Sequence, residues 1–109
     1  MKKVLYVYGG PDFHPSEAAG KLLQEVLQRD GRFELEMTAD LDAFAHLPGS
    51  DYGAVVIYTT GFHDELTPER EQGLLQFAWN GGGVVGVHSA VASFQQSRPY
   101  VEMMGGEFL

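Results

Sequence analysis

Two stretches carry the reading of the fold: Val4-Leu5-Tyr6-Val7-Tyr8, followed by Gly9-Gly10-Pro11-Asp12, and Ala54-Val55-Val56-Ile57-Tyr58, followed by Thr59-Thr60-Gly61. Both are runs of β-branched, aliphatic and aromatic residues without polar alternation. That pattern fits strands covered on both faces, as in a parallel sheet. Each run ends abruptly in glycine or small polar residues, so each strand hands over to a loop at its carboxyl end. The first run is also too short to be the apolar region of a leader after Met1-Lys2-Lys3, and no stretch approaches the ~20 apolar residues that span a bilayer.

Helical spacing fills the gaps between these strands. Ala19, Leu22, Leu23, Val26 and Leu27 predict a helix over 16–29, started by Pro15 or Ser16 and stopped at Asp30-Gly31. Phe33, Leu35 and Met37 alternate with Glu34 and Glu36, as on an edge strand with one wetter face. Asp40 caps a short helical turn that runs to Leu47 before Pro48-Gly49 breaks it. Thr67-Pro68 starts a further helix, with Leu74, Phe77 and Ala78 on one face and Asn80-Gly81 at its end. Val84 to His88 reads as a fourth strand, and Ala90 to Met104 as helical fragments interrupted by Pro99. Strands alternating with helices predict an α/β fold: a flavodoxin-like three-layer sandwich on a parallel sheet of order 2-1-3-4.

Size and composition bound the function. A chain of 109 residues is one domain or part of one, and 44% hydrophobic with 20% charged residues is an ordinary globular balance. Seven Lys and Arg against 15 Asp and Glu leave a net charge of -8, which opposes nucleic acid and anionic membrane as partners. The chain has no cysteine, so disulfides, thiolate ligands and thiol nucleophiles are excluded. These features read as a cytoplasmic protein.

In open α/β sheets ligands bind at the carboxyl ends of the strands, near the point where strand order reverses. Three of the four histidines fall there: His14 after the first strand, His63 after the third and His88 after the fourth. His46 leads into strand three from the other edge and receives no role. A lone loop histidine is ordinarily a solvated side chain; three on one edge are what single this edge out. Gly86-Val87-His88-Ser89-Ala90 joins a buried strand directly to a helix, the geometry of a nucleophile elbow with His88 at its apex and Ser89 better suited to capping the helix. The catalytic candidates are His88, His14 and Asp12. Gly10, Thr59, Thr60, His63 and Ser89 are the candidates for holding a substrate. His14 and His88 can ligate a divalent metal such as zinc, supplemented by Asp12, His63 or Asp64, or one imidazole can act as general base while the other, or Asp12, orients it. Gly81-Gly82-Gly83 precedes a strand and so lies at the wrong edge for phosphate. Gly9-Gly10 matches neither the dinucleotide nor the Walker pattern, so no nucleotide or flavin is expected.

Taken together, Gly9-Gly10 with His14, Thr59-Thr60-Gly61 before Leu66-Thr67-Pro68-Glu69, the run from Gly81 to Ala90 and the closing Gly105-Gly106-Glu107-Phe108 resemble the trehalose-utilisation (ThuA-like) family. The resemblance spans essentially the whole chain, and the Gly81 to Ala90 segment is its most specific part. It implies a branch of the class I glutamine amidotransferase-like superfamily, whose members place a cysteine at the elbow. Here the apex is His88, and glutamine hydrolysis through a thioester is chemically closed to a chain without cysteine. The family also implies a small-molecule carbohydrate as partner and a metal near the histidines. Its members carry further strands and a further histidine, so residues 1–109 read as a single domain that stops short after strand four.

These readings leave three expectations. The first is an enzyme acting on a carbohydrate, of the trehalose, keto-sugar or glycoside type, through histidines at the sheet's carboxyl edge. The second is a non-catalytic carbohydrate-binding or interaction domain on the same fold. The third, a flavin or nucleotide module, rests on fold analogy alone. An uncovered fourth strand also predicts a homodimer across that edge.

Overall fold

The computed structural model of the chain describes residues 2–11, 14–62 and 64–107. Its sheet has four parallel strands, β1 (Lys2–Tyr8), β2 (Phe33–Thr38), β3 (Tyr52–Tyr58) and β4 (Gly83–Gly86), in the order β2-β1-β3-β4. This is the predicted α/β sandwich. The lack of polar alternation in β1 and β3 is explained by their two partners. Leu5, Val7, Val55 and Ile57 face one layer, packing with Phe44, Leu74, Phe94 and Tyr100. Val4, Tyr6, Val56 and Tyr58 face the other, where helix α1 (Ser16–Asp30) lays down Ala19, Leu23 and Leu27.

The layer opposite α1 holds a 3-10 helix (Leu41–His46), helix α2 (Pro68–Trp79) and helix α3 (Arg98–Met104). Their starts obey the sequence signals. Asp40 accepts from the Asp42 amide at 2.9 Å, and Thr67 caps α2 by accepting from the Arg70 amide with Pro68 in the first turn. β2 lies at one edge of the sheet and β4 at the other. On β4, Val85 is half exposed, because no described element covers that strand on the α1 side.

The fourth strand and the segment after it depart from expectation in three ways. The strand runs over Gly83–Gly86 rather than Val84 to His88. Val87 still donates its amide to the Ile57 carbonyl at 2.9 Å, but His88 has a φ of 50°, and a left-handed residue cannot continue a strand. Secondly, Pro99 does not interrupt a helix. It sits in the first turn of α3, where no amide is required, behind Ser97, whose Oγ accepts from the Tyr100 amide at 3.2 Å. Thirdly, Ser89 is not a cap: Val87 occupies the capping position of the 3-10 helix His88–Ala92, with no side-chain bond, and Ser89 lies inside it. Among the described residues no helix is long and apolar enough to cross a membrane.

Candidate functional site at the carboxyl edge of the sheet

Three segments meet where β1, β3 and β4 end. The β1 loop is held by Gly9, whose amide donates to the Tyr58 carbonyl at 3.3 Å. Gly10 has a φ of 116°, and a Cβ there would lie 3.0 Å from the Thr60 carbonyl and 3.1 Å from its amide. The Gly-Gly pair therefore lets the first loop pass close against the third. The β3 loop is fastened to the segment after the elbow: Gly61 donates to the Ala92 carbonyl and accepts from the Phe94 amide, and the Phe62 and Phe94 rings stack at 6.4 Å.

This framework brings His14 and His88 together, with ring centroids 5.1 Å apart. His14 is half buried and is positioned by its amide, which donates to the Pro11 carbonyl at 3.0 Å. His88 is exposed at the apex of the left-handed turn, and its ring also meets Tyr58 edge-on at 6.1 Å. Neutral imidazoles each offer one donor and one acceptor nitrogen, so a contacting pair can take a proton from one group and supply one to another.

Behind the elbow lies a set of hydroxyls. Ser89 Oγ donates to the Thr59 carbonyl at 3.0 Å and hydrogen-bonds Thr60 Oγ1. Thr59 Oγ1 donates to Ser93 Oγ at 2.7 Å, and Ser93 Oγ donates to the Ser89 carbonyl at 3.2 Å. Thr59 is wholly buried, so its side chain lies beneath the site and only Thr60 reaches the surface of this pair. Asp12 and His63 lie outside the described residues.

A cavity of about 260 Å³ opens beside His14, lined by Tyr8, Gly9, Gly10 and Glu17 among others. Tyr8 Oη donates to Glu17 Oε2 at 3.1 Å, and that bond, with a smaller contribution from burial, raises the tyrosine pKa above its ordinary value. Deeper in the same face, burial pushes Tyr6 up to about 12, aided by neighbouring Tyr58, and its hydroxyl donates to the Ser16 carbonyl at 2.7 Å. A larger hollow of about 360 Å³ lies between α1 and β2 and contains no histidine. Sequence reasoning missed Tyr8, Tyr58, Glu17 and Ser93. The first two were marked by position alone, as the last residues of β1 and β3.

Catalytic zinc takes three protein ligands and an open position. Among the described residues no group of three His, Asp or Glu is arranged to hold a metal ion, so His14 and His88 by themselves fall short of such a site.

A flavodoxin-like α/β domain with an elbow histidine at the sheet's carboxyl edge is the class of protein that fold and site define. The model of the ThuA family, described as trehalose utilisation, matches residues 3–109, and the chain belongs to that family. Among solved structures it is similar to a ThuA-like protein from Bacteroides uniformis ATCC 8492, with 26% identity and a TM-score of 0.67. That match covers 83% of this chain and 37% of the other, so the chain spans well under half the length of its structural relative. No curated protein matches.

Proposed function

We propose that the carboxyl edge of the sheet binds a small-molecule carbohydrate and acts on it by acid-base chemistry, with His88 and His14 as the proton-transferring pair. The contact between the two imidazoles, 5.1 Å between centroids, is the observation that carries this reading. One imidazole removes a proton from a sugar hydroxyl or from the carbon beside a carbonyl, while its neighbour supplies one to the oxygen that gains charge. Gly10 and Thr60 line the approach, and Ser89, buried behind the elbow, hydrogen-bonds Thr60 and is held by the Thr59 carbonyl; Asp12 and His63 are the further residues that the sequence offers for this site. The family's description as trehalose utilisation supports a sugar as the ligand.

His14 and His88 are also the residues that would contribute to a divalent metal such as zinc, which would polarise a substrate oxygen. Two imidazoles do not complete that shell, and the acid-base roles above need no metal. A cytoplasmic location and a homodimer joined along β4, where Val85 is half exposed, belong to the same proposal.

The test is turnover of a sugar panel that includes trehalose, keto-sugars and aryl glycosides, by wild type, His88→Ala and His14→Ala. Loss of turnover in both variants with unchanged circular dichroism supports the pair. Unchanged turnover in either removes that residue from the chemistry, and binding without turnover in the wild type favours a carbohydrate-binding domain instead.

A further inference from the structure

The hydroxyls behind the elbow have a direction. Ser89 has one proton and two neighbours, the Thr59 carbonyl at 3.0 Å and Thr60 Oγ1. A carbonyl can only accept, and Thr59 is wholly buried, so no water can replace Ser89 as its donor. The Ser89 proton is therefore committed to Thr59, and Ser89 turns a lone pair toward Thr60. The Thr60 proton must then point at Ser89. One layer deeper the same polarity repeats: Ser93 gives its proton to the Ser89 carbonyl, and Thr59 gives its own to Ser93. Every proton in the set is assigned by a carbonyl that cannot donate, and reversing the Thr60 bond would leave a buried carbonyl unpaired.

Thr60 is the member of this set that reaches the surface, beside Gly10 and one loop from His88. Its only proton points inward, so lone pairs are all it has left for a ligand. We propose that Thr60 is a specificity-determining residue that presents a hydrogen-bond acceptor and never a donor, so that the group seated on it is a neutral hydroxyl or an N–H. A phosphate or carboxylate oxygen is refused there. The inference rests on the reading of this edge as a carbohydrate site and narrows it to sugars that are unphosphorylated where they meet Thr60. The net charge of -8 acts in the same sense at longer range.

Two measurements test the proposal separately from the carbohydrate reading. Neutron diffraction from deuterium-exchanged crystals of the ligand-free wild type locates the protons directly. Deuterium on Thr60 Oγ1 in line with Ser89 Oγ is expected; deuterium on Ser89 directed at Thr60 overturns the proposal, whatever the ligand is. Calorimetric titration with trehalose and with trehalose 6-phosphate then reads the consequence in wild type and Thr60→Val. Trehalose should bind wild type and weaken about 2- to 12-fold in Thr60→Val, as for loss of one hydrogen bond. The phosphate should bind less tightly than trehalose, and a phosphate that binds more tightly in a Thr60-dependent way overturns the proposal. Expected proton positions with no sugar bound would uphold the acceptor role and refute the carbohydrate reading.

Discussion

His88 has a φ of 50°, and the elbow can be tested by comparing two substitutions at that position. His88→Ala and His88→Gly both remove the ring and so lose the same contacts with His14 and Tyr58. They differ only in backbone. A Cβ in the left-handed region costs about 1–2 kcal/mol. Glycine avoids that cost but loses about 0.5–1 kcal/mol more than alanine in backbone entropy on folding. The difference leaves His88→Gly about 0–1.5 kcal/mol more stable than His88→Ala. For a domain of this size that is a melting temperature up to about 12 °C higher. Differential scanning calorimetry on the two variants, with urea titration as a second measure, reads the difference directly. An alanine variant more stable than the glycine one would mean that residue 88 is not left-handed and that the elbow does not exist.

Gly73→Ala should destabilise by about 1–3 kcal/mol in urea unfolding, as for an overpacked core. The new Cβ would lie 2.3 Å from the Phe44 carbonyl oxygen and 2.7 Å from Ala45 Cα, and backbone cannot rotate out of the way. Tyr6 links stability to alkaline pH. Folding holds its proton up to about 12, whereas the unfolded residue titrates near its ordinary 10.0, so the contribution of Tyr6 to stability is constant below pH 10 and is lost as pH rises from there toward 12. Tyr6→Phe should be less stable at pH 8, having lost the bond to Ser16, yet decline less steeply between pH 10 and 11. Identical slopes in the two proteins would contradict the assignment. Light scattering after size exclusion should give a dimer that Val85→Lys converts to monomer; a monomeric wild type would remove the β4 edge as an interface.

The sheet was legible because its signals are local. Continuous apolar runs at Val4 to Tyr8 and Ala54 to Tyr58, the alternation in Phe33 to Thr38 and the Thr67-Pro68 start each specify their element within a few residues. The end of β4 was less legible, since an apolar pattern through Val87 does not reveal a change of sign in φ at the next residue. Ser89 was misread for a related reason. Serine is common at helix starts, and its real partners, Thr59 and Thr60, lie 30 and 29 residues away in sequence. At the site, the rule that places ligands at carboxyl strand ends brought out His14 and His88. It gave no reason to prefer Tyr58 or Glu17, whose roles depend on which side chains the packing sets beside them.

In the proposed function a carbohydrate binds at the carboxyl edge of the sheet, against the histidine pair. Titration of the isotopically labelled chain with trehalose, monitored by amide and imidazole NMR shifts, tests it most directly. Saturable shifts are expected at Gly10, His14, Thr60, His88 and Ser89, with little change around Gln24 and Phe33 in the larger hollow between α1 and β2. Shifts confined to that hollow, or none up to high millimolar sugar, would contradict it.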